Sequence, residues 1–68
     1  MENNVKYPNI KLRLTNTSSN AFAIIGKAKE TLRLAGISRE EINEFINEAT
    51  NGDYNNVLQT CMRWMDVE

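Results

Sequence analysis

The residues best placed to do chemistry lie between Ile10 and Thr15, where Lys11 and Arg13 alternate with Ile10, Leu12 and Leu14. Side chains two apart share one side of a strand, so the two cations project together, and the same period adds Tyr7. Two cations and an aromatic ring on one strand face can hold a phosphate and stack a base. The pattern equally describes an ordinary solvent face on an edge strand, where Lys discourages association with other strands.

Four further groups carry weaker signals. Glu40, Glu41, Glu44 and Glu48 are neighbours on one helix face and could bridge a divalent ion, though a solvated face whose first turn complements the helix dipole accounts for them as well. No calcium-loop pattern accompanies them. Cys61 falls on an apolar stripe without a nearby cation, which describes a packed small hydrophobe rather than a nucleophile. Asn51-Gly52-Asp53-Tyr54 has the look of a phosphate-binding turn, but Asp53 would repel an anion and serves better as a helix cap. Trp64, the single tryptophan, sits on the flank of its helix, where it either anchors an interface or fills the margin of the core.

What is missing narrows the chemistry. The chain has 68 residues, no histidine and one cysteine. A Ser-His-Asp triad, a Cys-His dyad, a His-ligated metal and an internal disulfide are therefore excluded, and binding is favoured over catalysis. Neither a metal nor a cofactor is implied. The overall charge of −1 and pI of about 5.4 argue against a nucleic-acid-binding accessory protein, the alternative reading. Charge is nonetheless unevenly spread: residues 1–39 hold seven basic and two acidic side chains, residues 40–68 one basic and seven acidic. The two halves either neutralise each other on folding or leave a basic face for an anionic partner.

The elements that must position these groups can be read from periodicity. Residues 1–9 are polar and are expected to be flexible, with Val5–Tyr7 either extending the strand or pairing with it across Pro8-Asn9. Asn16–Ser19 reads as a loop. A helix is predicted over Ala21–Leu34, capped by Ser18, Ser19 or Asn20, with Ala21, Ile24, Ile25, Ala28, Leu32 and Ala35 as its stripe and Gly36 as its αL stop. Gly26 within it calls for close packing against another backbone. Ser38-Arg39-Glu40-Glu41 forms a capping box with Ile37 and Ile42 as a hydrophobic staple, and Ile42, Phe45, Ile46 and Ala49 follow as the buried face. Asp53 caps a third helix that buries Tyr54, Val57, Leu58, Cys61 and Met65. Asp66-Val67-Glu68 is unfavourable at a helix C-terminus and is expected to fray.

Two resemblances add to this reading. Asn20-Ala21-Phe22-Ala23-Ile24, Gly52-Asp53-Tyr54 and Leu58-Gln59-Thr60-Cys61-Met62-Arg63-Trp64 resemble a family of short uncharacterised proteins of bacteria and their phages. That likeness spans about three-quarters of the chain, Asn20 to Glu68. It implies a small stand-alone protein of a phage or mobile element and brings no activity with it. Ala35-Gly36-Ile37-Ser38-Arg39-Glu40-Glu41-Ile42 is similar to the first loop of ubiquitin-associated (UBA-like) three-helix domains. This second resemblance implies partner binding through Gly36 and Ile37 and through Met62, Trp64 and Met65.

The expected fold is one small domain over residues 1–68, mainly α (small α+β), with an N-terminal strand or short hairpin followed by a three-helix bundle. The expected function is non-catalytic binding, as a host-modulating or counter-defence factor that engages a host protein or sequesters a small anionic nucleotide. Lys11, Arg13 and Tyr7 are the expected ligand residues. No signal-peptide pattern or membrane-length apolar run is seen, so a cytoplasmic protein is expected. A lone six-residue strand leaves one row of backbone groups unpaired, and a domain this small benefits from a staple. Both considerations predict a homo-oligomer in which residues 10–15 of two copies pair antiparallel.

Overall fold

The structure, a computed structural model, describes residues 5–14 and 20–68. Its elements run β1 (Tyr7–Leu12), α1 (Ala21–Leu34), α2 (Arg39–Ala49), α3 (Tyr54–Trp64) and β2 (Met65–Val67). The three helices are as expected, whereas the C-terminal strand is new. β2 pairs parallel with β1 in the same chain. Parallel strands require a long crossover, and here all three helices supply it.

This pairing corrects three expectations. β2 of the same chain pairs with one edge of β1, so the strand no longer needs a second copy to be paired. Residues 66–68 do not fray. Met65 leaves the helix in extended geometry (φ −138°, ψ 167°), and Glu68 N–H donates to the Leu12 carbonyl at 2.8 Å. Tyr7–Asn9, expected to be loose, belong to β1. Thr15, the predicted loop Asn16–Ser19 and residues 1–4 lie outside the described residues.

Pairing is irregular between Tyr7 and Lys11: Tyr7 stands opposite Met65, Lys11 opposite the very next residue, Asp66. Pro8 and Asn9 are both exposed within this bulge. Such a bulge moves the alternation by one residue and flips the face of what precedes it. Tyr7 consequently turns toward the core with Ile10, Leu12 and Leu14, away from Lys11 and Arg13.

One core runs through every element. Leu12, Ile24, Ala28, Leu32, Ile42, Phe45, Ala49, Val57, Cys61, Trp64 and Met65 are all buried. Ala35 and Tyr54, assigned to buried stripes by periodicity, are exposed, and Thr60, not so assigned, is fully buried. Thr60 Oγ1 accepts from Arg63 Nη2 at 3.1 Å, which offsets its burial. Gly26 has no non-local atom within 4 Å of where a Cβ would stand, so close packing does not explain it. Nothing in the structure explains that glycine.

The helix ends are closed by side chains. Asn20 accepts from Phe22 N–H at 2.8 Å, Ser38 Oγ from Glu41 N–H at 3.2 Å and Asp53 from Asn56 N–H at 3.0 Å. Asn56 turns back to donate to the carbonyls of Glu48 and Ala49 at 2.8 and 3.2 Å, closing the end of α2. Gly52 makes room for it, since a Cβ there would lie 2.9 Å from the Asn56 Cβ. The return half of the predicted capping box is diverted. The Glu41 carboxylate faces β1, where it accepts from the Tyr7 hydroxyl and lies 3.8 Å from Lys6 Nζ.

Candidate functional site

The strand expected to bind an anion has its cations occupied. Lys11 Nζ lies 2.9 Å from Asp66 Oδ2 and 3.8 Å from Glu68, and Arg13 Nε lies 3.5 Å from Glu68 Oε1. The hydrogen bond that Lys11 donates to Asp66, then the charges of Asp66 and Glu68, raise the Lys11 pKa above its ordinary value. Parallel register creates these pairs: Lys11 on β1 meets Asp66 on β2, and Arg13, one residue past β1, meets Glu68, one residue past β2. Tyr7 is separate from both, its ring 6.0 Å from that of Trp64 and its hydroxyl on Glu41. The three residues grouped by sequence period are thus not one site.

The residues suggested by the UBA-like resemblance also part company. Trp64 and Met65 are buried, while Met62 is half exposed. Trp64 packs edge-on to Phe45 with ring centroids 5.4 Å apart, and its indole N–H donates to Glu48 Oε1 at 3.1 Å. Lys6 Nζ covers the outer face of the same ring, 4.2 Å from its centroid. Glu48 takes two further hydrogen bonds from Arg63, at 2.9 and 3.1 Å. The indole first and Arg63 second hold the Glu48 carboxyl below its usual range. In the depression of about 530 Å³ beside Trp64, Glu48 and Arg63 therefore already answer each other.

Gly36 and Ile37 lead to a different place. At the end of α1, Gly36 N–H donates to Arg33 O and Ile37 N–H to Leu32 O, each at 3.1 Å. Gly36 adopts φ 87° to make this possible, a conformation that favours glycine. These two bonds form a Schellman stop, which turns the chain and presses Ile37 onto the core beside Leu32. Ser38 then opens α2, and Arg39 becomes its first residue. The outcome is a cleft of about 430 Å³ between α1 and α2, lined by Lys29, Arg33, Ile37, Arg39, Ile42 and Asn43.

The cleft gathers three cations around one apolar floor, whereas Lys27, the other cation in no ion pair among the described residues, stands outside it. Arg33 is held by Glu30 on its own helix, at 2.6 Å. Lys29 and Arg39 make no ion pair among the described residues, unlike Lys6, Lys11, Arg13 and Arg63. Ile37 and Ile42 give the cleft an apolar floor, and Asn43 adds an amide that can both donate and accept. Sequence reasoning singled out Ile37 but missed the three cations. Their signal was present: Lys29 and Arg33 are one helical turn apart, and Arg39 follows a Gly stop and a Ser cap that fold it back toward them.

The remaining candidates are dispersed. Among the described residues no three His, Cys, Asp or Glu side chains converge. Glu41 and Glu48 turn to β1 and Trp64 instead of completing an acidic face. Cys61 is buried, and desolvation pushes its thiol up to about 11, so it is protonated at neutral pH. No described helix is long and apolar enough to cross a membrane.

Comparison with known protein families, with curated proteins and with solved structures gives no match for this chain.

Proposed function

We propose that this chain is a non-catalytic binding protein that engages an anionic partner through the cleft between α1 and α2. One observation carries the reading: two cations that make no ion pair among the described residues, and a third held only by its own helix neighbour, border an apolar floor. The strand cations first expected in that role are matched by Asp66 and Glu68. Three cations against the single carboxylate of Glu30 on a concave surface raise the local potential and favour an incoming anion.

The biological setting forms part of the same proposal. The sequence resemblance supports a phage or mobile-element protein acting in the host cytoplasm as a host-modulating factor, with the cleft as the surface that occupies its target. Homo-oligomerisation stays within the proposal on different grounds, since strand pairing no longer requires it: Phe22 is 82 % exposed and Leu34 72 % exposed on α1.

Calorimetric titration of a glutamate-rich peptide at two salt concentrations tests the reading. Binding should weaken as salt screens the cleft, and Lys29→Glu with Arg39→Glu should abolish it. If Lys11→Glu with Arg13→Glu abolishes it instead, the ligand face is the strand and the proposal fails.

A further inference from the structure

Among the described residues, surface features with room for a ligand include the depression beside Trp64, an apolar groove of about 300 Å³ bordered by Phe22 and Tyr54, and the basic cleft. In the first, Glu48 is already bonded to Arg63 and the indole. Nothing about the second identifies what would cover it. The third has both a charge and a floor, and the combination specifies an occupant.

Resting on the reading of the cleft as the anionic-partner site, we propose that its occupant is an acidic segment of a protein, which seats one aliphatic side chain on the cleft floor between flanking carboxylates. Charge complementarity sets the flanks. Lys29 and Arg33 stand on α1 and Arg39 on α2, so positive charge borders the apolar floor from both sides. Carboxylates spaced along a peptide can reach both borders at once while leaving an aliphatic side chain between them for the floor.

The floor sets the centre. Ile37 is half-buried and packs onto the core, leaving the rest of its side chain to the cleft. A bare phosphate gains nothing from an isoleucine, but an aliphatic side chain loses apolar surface to it. Asn43 suits a peptide backbone, because its amide can accept from an N–H and donate to a carbonyl. No aromatic ring lines the cleft, so a base would have no ring to stack on. Backbone dipoles do not favour a concentrated anion either. The α1 side is a helix C-terminus, and the positive end of α2 is already complemented by Glu40 and Glu41 in its first turn.

The experiment uses the full ¹⁵N-labelled chain and four probes: a short peptide with one leucine flanked by glutamates, its Leu→Ala version, its Glu→Gln version, and inorganic pyrophosphate. The leucine–glutamate peptide should shift the amides of residues 37–43. It should bind about tenfold tighter than the alanine version, the discrimination available from one buried aliphatic side chain. The Glu→Gln peptide should not bind, and Lys29→Glu with Arg39→Glu should remove binding while the remaining amides keep their positions. Equal binding of the alanine peptide or of pyrophosphate at the cleft overturns the acidic-segment inference and leaves the cleft an anion site. Failure of every probe to perturb the cleft overturns both.

Discussion

Two basic regions of this molecule meet opposite fates. At the end of β1, Lys11 and Arg13 face Asp66 and Glu68 at the end of β2, and each cation lies within 4 Å of an acidic partner. At the α1–α2 turn, Lys29 and Arg39 have no such partner among the described residues, although the same turn is tightly built. The first region spends its charge on holding the two ends of the chain together; the second leaves its charge to solvent or a ligand. A basic residue in sequence therefore says little about binding until its neighbours in space are known.

The largest test falls on the sheet. Met65 is fully buried and begins β2. Met65→Ala should cost roughly 2–5 kcal/mol, as other large-to-small core changes do, and should loosen the strand that neutralises Lys11 and Arg13. Urea denaturation followed by Trp64 fluorescence measures it; a change below about 1 kcal/mol would show that Met65 does not anchor β2.

On the cleft side, Ser38→Ala removes the cap that starts α2 and should cost about 1 kcal/mol in the same assay. Tyr7→Phe sharpens the picture of Glu41. If that carboxylate serves β1 and not the cap, removing the Tyr7 hydroxyl should destabilise the chain even with Ser38 intact.

Charge reversals then contrast the two regions directly. Lys11→Glu with Arg13→Glu places like charges across the ladder and should lower the urea midpoint, by less than the loss of the Ser38 cap. Lys29→Glu with Arg39→Glu breaks no ion pair among the described residues and should leave the midpoint unchanged. Equal destabilisation by both pairs would erase the distinction.

Acid should produce the smallest effect. Glu48 is held below its ordinary pKa of 4.5 in the folded chain, so its contribution is complete above that value and is lost as pH falls through the lower folded one. Stability should therefore decline as pH drops below about 4.5, and Glu48→Gln should flatten that decline.

Much of the framework was legible because local rules agree with tertiary packing. Asn20, Ser38 and Asp53 cap their helices, Gly36 stops α1, and Ile24, Ala28, Leu32, Ile42, Phe45 and Ala49 are buried as their spacing predicts. β2 was missed because Asp66 and Glu68 were judged against the α3 dipole, a local effect, when their partners are more than fifty residues away. A pairwise reading would have found it: Lys11-Leu12-Arg13-Leu14 and Met65-Asp66-Val67-Glu68 are complementary two-residue periods, basic against acidic and apolar beside apolar. Tyr7 was misplaced by the bulge at Pro8-Asn9, which no alternation rule foresees. The cleft eluded sequence reasoning because its cations come from two helices, and only the Schellman turn brings them to one place.

The contrast between spent and available charge is tested most directly by titrating ¹⁵N-labelled protein with citrate, a small tricarboxylate, and recording which amides and side chains respond. The account predicts saturable shifts at Arg33, Arg39 and Asn43, with Lys11 to Leu14 unmoved. Shifts concentrated on Lys11 to Leu14, with the cleft silent, would contradict it.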